Sequence, residues 1–220
     1  MDPTLGLFMV ADGLGGRDLG HAASTMAVSA VQQMVEDALD RRPGDRPVAS
    51  RVISTALRHA NACIHSAASK QPPGRGMATT FAGVLIDGTE VCLAHVGDSR
   101  AYRLRDDELE LMTADHSLVN DLLARGVAPE WAEALPTRGA LTRALGLEAN
   151  VDVTLRLETV KPGDVLLLCT DGLSGVVDLE DIAYILSQHV DLEEIAAKLI
   201  EEANDIGGPD NITVVLVRWD

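Results

Sequence analysis

The stretch from Thr79 to Met112 constrains the fold more than any other. TTFAGVLI (79–86) and TEVCLAHV (89–96) are apolar, β-prone runs on either side of Asp87-Gly88. That dipeptide turns a chain straight back on itself, so the pair reads as a hairpin. RAYRL (100–104) and ELELM (108–112) repeat the pattern around RDD. Two successive hairpins commit the centre of the chain to antiparallel sheet.

The flanks are helical. Ala23, Ala27, Val31, Met34 and Ala38 fall at helical spacing within Leu19–Leu39, and Ile53, Leu57, Ala60, Ile64 and Ala67 mark a second helix. DRRPGDRP (40–47) reads as the polar turn between them, and QPPGRG (71–76) ends the second. Leu5–Ala11 reads as a buried strand ahead of the first helix. VDVTLRLE (151–158) and DVLLLC (164–169) are strands joined across KPG, and NITVVLVRW (211–219) is the closing strand. Asp178–Gln188 and Asp191–Asn204 make a second helix pair. Residues 117–141 read as helical pieces with breakers, a mobile excursion over the surface. Helices in pairs and strands in antiparallel runs do not alternate as in a parallel sheet; they indicate an α+β fold with layered sheets in a single domain over 1–220.

The formal net charge of −16 argues against nucleic acid or an anionic membrane as partner, since both need a basic footprint. Three widely spaced cysteines, Cys63, Cys92 and Cys169, provide no disulfide framework and no zinc motif. With no basic leader and no long apolar run, the expectation is a soluble, cytoplasmic, monomeric protein. The six histidines show no zinc-ligand spacing and read mostly as surface or packing residues.

Four aspartates stand at the ends of apolar strands: Asp12 after FMVA, Asp98 after LAHVG, Asp171 after LLLCT, and Asp210 in GGPDN before ITVVLV. Each alone reads as a turn residue, because Asp caps locally and Gly accepts positive φ. Asp87-Gly88 is the internal control, a plain hairpin turn. Asp12-Gly13 and Asp171-Gly172 differ, since each leads through further Gly or Ser into a helix rather than a strand. Taken together the four carboxylates make a hard, oxygen-rich site suited to Mg²⁺ or Mn²⁺. Paired ions of that kind activate water as a nucleophile against a phosphoryl group. Gly13 would free its carbonyl toward a cation, and Gly15 and Gly16 allow close approach of a ligand or a neighbouring strand. A dinucleotide fingerprint fails because Asp18 stands where a third Gly is required, and no Gly-Lys-Ser/Thr exists for a P-loop.

FMVADGLGG followed by AAS, MATT (77–80), LAHVGDSRAYRL (93–104), LMTADHSLV (111–119), LTRALG (141–146), GDVLLLCTDGLSGVV (163–177) and GGPDNITVVLV (207–217) occur in this order along nearly the whole chain. In this ordered set the chain resembles the metal-dependent serine/threonine protein phosphatases of type 2C, bacterial branch. The resemblance implies a four-layer α-β-β-α sandwich of two antiparallel sheets flanked by helix pairs. It implies a binuclear Mn²⁺ or Mg²⁺ centre held by Asp12, Asp171 and Asp210 with the Gly13 carbonyl, and a third, weaker metal at Asp98 and Asp171. It implies a flap over 117–141 and, as substrates, proteins phosphorylated on Ser or Thr by a kinase. Leu14 stands where animal and plant members often carry a leaving-group His.

Only MDPTLG precedes the Asp12 strand, where the family carries a strand with Arg and then Asn-Glu-Asp. The Arg that grips substrate phosphate therefore has no counterpart, and a sheet edge or core face is expected to be uncovered. Arg17 is the candidate substitute, set against its reading as an ordinary exposed Arg. A natural start further upstream accounts for the same gap. A second reading of the chain follows: a catalytically weak or inactive member that binds phosphoproteins as a regulator.

Overall fold

The structure is a computed structural model that describes residues 2, 4–40, 48–72, 75–188 and 190–219. The turn expected over 40–47 lies outside them apart from Asp40, as does His189. Along the chain run β1 (Leu7–Val10), β2 (Gly13–Leu14), α1 (Arg17–Leu39), α2 (Ala49–Ala68), β3 (Ala78–Thr79), β4 (Phe81–Asp87), β5 (Glu90–Val96), β6 (Arg100–Arg105) and β7 (Glu108–Leu111). Then come α3 (Leu118–Ala124), α4 (Pro129–Glu133), β8 (Thr154–Thr159), β9 (Val165–Cys169), α5 (Asp171–Ser174), α6 (Leu179–Leu186), α7 (Leu192–Asp205) and β10 (Val214–Arg218).

Both hairpins form as the turn residues require. Asp87 pairs with Glu90, so the two turn residues are Gly88, with φ +61°, and Thr89, one position later than the Asp-Gly dipeptide suggests. Arg105 pairs with Glu108 around Asp106 and Asp107, with φ of 51° and 63°. Two left-handed central residues give the turn whose twist matches that of the strands. The hairpins fall in different sheets. One sheet has the order β1-β4-β5-β8 and the other β10-β9-β6-β7, with every pairing antiparallel. β8 and β9 are joined across KPG, as the sequence indicates, and lie one in each sheet.

Each sheet has one face on the other and one face under helices. Val10, Val84, Leu93, Ala101, Leu166 and Leu168 fill the layer between the sheets. α1 and α2 cover the first sheet through Ala23, Ala27, Val31, Ile53, Leu57 and Ile64. α6 and α7 cover the second through Ile182, Ile185, Ile195 and Leu199. The expected four-layer α+β sandwich is therefore present. It explains why β9 is buried at all five positions, since both of its faces are covered. Val35 takes the core place expected of Met34, which is only half-buried.

The two long sides of the sandwich close differently. β1 and β10 are both edge strands and meet at one side. β1 pairs only with β4 within its sheet, so the edge expected to be uncovered is an edge among the described residues; Asp2 folds back onto Leu7 by two backbone hydrogen bonds. On the other side Arg103 of β6 bonds Glu110 of β7 and Glu158 of β8, and Arg156 of β8 bonds the same two carboxylates. This closed ring of four charges ties the second sheet to the first. No described helix is long and apolar enough to cross a membrane.

Residues 117–141 leave the sandwich as a loop closed at its base. Ser117 bridges Leu141, and the Leu118 and Val119 amides donate to the carbonyls of Ala140 and Arg138. α3 and α4 lie inside this excursion, and Trp131 of α4 is 75% exposed.

Candidate metal centre

The four sequence-nominated acids come from four separate connections at one rim of the sandwich. Asp12 follows β1. Both of its backbone groups are fixed: its N–H donates to Thr80 Oγ1 (3.0 Å), and its carbonyl accepts from Thr80 N (2.8 Å) and Thr79 Oγ1 (2.7 Å). Its side chain is left to the rim. Thr80 Oγ1 also meets Ser99 Oγ at 2.6 Å, which ties the Asp12 segment to the turn that carries Asp98. Gly97 makes that turn at φ +104°, and a Cβ there would stand 2.8 Å from the Thr80 side chain.

Asp171 opens α5. Thr170, just before it, exchanges hydrogen bonds with Thr213 and donates Oγ1 to the Asn211 carbonyl, fastening the Asp171 turn to the loop of Asp210. Asp210 is exposed at the lip of the site, and one of its carboxylate oxygens accepts the Asn211 N–H.

Two Asp-Gly pairs differ from the third in what their glycines do. A Cβ on Gly13 would lie 2.0 Å from the Gly20 carbonyl oxygen, and one on Gly172 would lie 2.2 Å from the Asn211 carbonyl oxygen. Gly88 has open space and a left-handed φ. Gly13 and Gly172 are thus clearance for backbone packed against the two acids, and Gly88 is a turn. Gly15 is clearance too, against the Gly76 carbonyl at 1.8 Å, whereas Gly16 faces open space at the start of α1.

Asp12 lies within electrostatic reach of Asp171, Asp210 and Asp98, and Asp98 within reach of Asp171. Asp12 is pushed up to about 7, first by burial, then by the neighbouring Asp171 carboxylate, with Asp210 and Asp98 adding to it. Asp98 is pushed up to about 6 by burial, then by Asp171 and Asp115. Like charges held together in a partly buried place raise one another in this way. Asp171 Oδ1 is buried with no hydrogen-bond partner, a cost of about 1–3 kcal/mol for an orphaned acceptor. Among the described residues no three Asp, Glu, His or Cys side chains close around one point. A hard cation that keeps several waters and takes backbone oxygen does not need three side chains at one point.

Several residues that hold the site carried no role in the sequence reading. Thr79, Thr80 and Ser99 are almost fully buried. Their hydroxyls lie inside otherwise apolar surroundings, and polar residues directly before the FAGVLI strand were the available signal. Asp115 and His116 hold the Asp98 turn from the other side. The His116 N–H donates to the Gly97 carbonyl, and His116 Nδ1 accepts the Gly97 N–H. His116 stacks on buried His95 with ring centroids 4.6 Å apart. These two histidines are packing residues, while His21 and His59 are exposed. Arg17 is exposed at the first position of α1 and makes no ion pair among the described residues.

Residues 2–205 match the family described as Protein phosphatase 2C. The chain belongs to the protein phosphatase 2C family. Serine/threonine protein phosphatase PstP of Mycobacterium tuberculosis is 39% identical over 211 residues, which is 96% of this chain and 40% of that protein. Serine/threonine phosphatase stp of Listeria monocytogenes is 37% identical over 219 residues, 97% of this chain and 84% of that protein. The phosphatase 2C chain therefore spans well under half the length of one curated relative and most of the other. Among solved structures, M. tuberculosis PstP/Ppp superposes with a TM-score of 0.82 at 39% identity, covering 96% of this chain and 86% of that one. The catalytic domain of PstP in complex with two manganese ions superposes with a TM-score of 0.78 at 37% identity, with the same coverage. Staphylococcus aureus Stp1 reaches 0.86 at 29% identity, covering 97% and 84%.

Proposed function

We propose that this protein is a metal-dependent phosphatase that removes phosphate from phosphoserine and phosphothreonine in proteins. The observation that carries the reading is the gathering of Asp98, Asp171 and Asp210 around Asp12, with a buried Asp171 oxygen that has no hydrogen-bond partner among the described residues. Asp12 and Asp171 have no Arg or Lys partner among the described residues, and a cation would satisfy them. Asp12, Asp171, Asp210 and the Gly13 carbonyl would hold two Mn²⁺ or Mg²⁺ ions, and Asp98 with Asp171 a further, weaker one. The solved PstP complex with two manganese ions supports the count of two. Bound there, the ions supply an acidified water as nucleophile and positive charge against the phosphoryl oxygens.

The chain's own residues do the rest. Thr79, Thr80 and Thr170 fix the backbone at Asp12 and Asp171, so the carboxylates stay aimed at the rim without reorganising. The open lip at Asp210 admits a phosphorylated side chain that projects from a protein surface. Arg17, exposed at the first position of α1, has no side-chain partner among the described residues that aims it at the acids, and it is the candidate for gripping phosphate. The convergent acids also argue against a non-catalytic, phosphoprotein-binding role, for which their repulsion would have no use.

The test is phosphate release from p-nitrophenyl phosphate and from phosphoserine and phosphothreonine peptides, with Mn²⁺, Mg²⁺ or EDTA. Release that needs the metal and stops in EDTA is expected. Folded, Mn²⁺-loaded protein that binds a phosphopeptide without releasing phosphate overturns the reading in favour of the regulator.

A further inference from the structure

Arg100 opens β6 two residues after Asp98, and its guanidinium reaches three parts of the rim. Nε and Nη2 donate to the two oxygens of Asp115, at 2.9 and 2.7 Å. Nη1 lies 3.3 Å from both the Ser174 carbonyl and the Tyr102 hydroxyl. Asp115 stands on the stem that leads into the 117–141 excursion. Ser174 is the last residue of α5, whose first residue is Asp171. α5 is a single turn, so a grip on its last carbonyl also sets the direction of its first side chain.

The same geometry shows what Arg100 does not do. Its fork is occupied by Asp115, and it makes no hydrogen bond to Asp98 or Asp171 among the described residues. Arg100 therefore does not occupy the oxygens of those two acids, and Asp171 Oδ1 has no hydrogen-bond partner among the described residues. The Asp115 pair is partly buried, with side chains 29% and 15% exposed, and bidentate, the arrangement in which an Arg holds a fixed orientation.

We propose that Arg100, held by Asp115, is a positioning residue that sets the spacing of Asp98 and Asp171 for the weaker cation between them. The proposal rests on the reading of Asp98 as a cation ligand. Arg100 links the strand that follows Asp98, the turn that carries Asp171 and the stem of the excursion. It does not reach the Asp12 segment, which Thr79 and Thr80 hold instead. Loss of Arg100 therefore acts most on the weaker cation, which depends on both Asp98 and Asp171, and less on the tighter ones, which share only Asp171 with it.

The experiment is calorimetric titration of the EDTA-stripped full chain with Mn²⁺ alone. Wild type is compared with Asp98→Asn, Arg100→Gln and Arg100→Lys, and thermal melts report folding. The binding step that Asp98→Asn removes should weaken about tenfold or more in Arg100→Gln, the usual cost of losing a group that orients a metal ligand. Arg100→Lys, with charge but no fork, should recover part of that loss. The tighter steps should weaken clearly less than that one, since they share Asp171 with it but not Asp98. An Arg100→Gln protein that melts as wild type and keeps the Asp98-dependent step overturns the proposal, and so does equal weakening of every step. A wild-type titration with no Asp98-dependent step overturns the cation reading beneath it, while the two-ion centre stands. If Arg100→Gln fails to fold, Asp115→Asn carries the same expectation and the same overturning result.

Discussion

Carboxylates are treated in opposite ways at two places on this sandwich. In the ring that joins the sheets, Glu110 and Glu158 each meet two arginines. Glu110 is held below the usual carboxylate range, first by the Arg156 hydrogen bond. At the rim, Asp12 meets Asp171 instead, and burial with like charge pushes it up to about 7. Both places gather acids from distant parts of the chain. The ring pairs each of its acids with arginines, whereas Asp12 and Asp171 have no Arg or Lys partner among the described residues. An acid that the fold neutralises is part of the structure, and an acid that the fold leaves unneutralised awaits something from outside.

The sharpest way to break this comparison is to remove one acid from each place. Asp171→Asn should lower Mn²⁺-dependent phosphate release by about 10³-fold or more, the scale at which a lost ligand disables metal-assisted attack. The same variant should melt no lower than wild type in EDTA, because it removes a repelling charge. A variant that keeps most of its activity, or that melts well below wild type without metal, would put Asp171 with the structural acids.

Arg103→Gln tests the ring. Arg103 is nearly buried and bonds two carboxylates. Its loss leaves Glu110 and Glu158 with only Arg156, so unfolding in urea should show a loss of about 1–3 kcal/mol, between the values for exposed and buried pairs. The Mn²⁺ concentration for half-maximal activity should not move. A shift in that concentration would mean that the ring and the rim are coupled and that the contrast is too simple.

The difference also has a pH signature. An acid whose folded pKa is raised holds its proton longer folded than unfolded, so its contribution to stability is present at low pH and is lost as pH rises. For Asp12 the window runs from about 4 to about 7. In EDTA, the stability of Asp12→Asn relative to wild type should therefore grow across that window. The gain should be on the order of 1 kcal/mol after discounting for the open side of the site. Taking the difference between variants cancels His116, whose effect has the opposite sign. His116 is pushed down to about 4 by burial and by His95, so the stability it confers is lost as pH falls from about 6.5. Melts of both variants from pH 4.5 to 8 measure the difference. A flat difference would mean that Asp12 is not repelled in the metal-free protein.

Much of this was legible in the sequence because it depends on local chemistry. The two hairpins follow from their turn residues, and the four acids stand out where apolar strands stop. What holds the acids was not legible. Thr80 bonds Asp12 across 68 positions, and Thr213 bonds Thr170 across 43. Nothing local marks one Thr before a strand as a brace and another as an ordinary strand residue. The assignment of β8 and β9 to different sheets was hidden for the same reason, since KPG serves a hairpin and a crossover equally well.

The three Asp-Gly pairs mark where local reading stops, and the smallest predicted effect comes from them. The pairs are identical in sequence, yet Gly13 and Gly172 have backbone carbonyls where a Cβ would sit, while Gly88 has open space at φ +61°. Gly88→Ala meets only the left-handed strain, about 1 kcal/mol, and Gly88→Asn should stay within about 0.5 kcal/mol because Asn tolerates that conformation. Both should leave phosphate release unchanged. Gly172→Asn has the same new side chain but must displace the Asn211 backbone beside Asp210, so it should disturb Mn²⁺ binding as well as stability. Equal melts for Gly88→Asn and Gly172→Asn would mean that the second glycine is also only a turn, and that the packing of Asp171 against the Asp210 loop does not set the site.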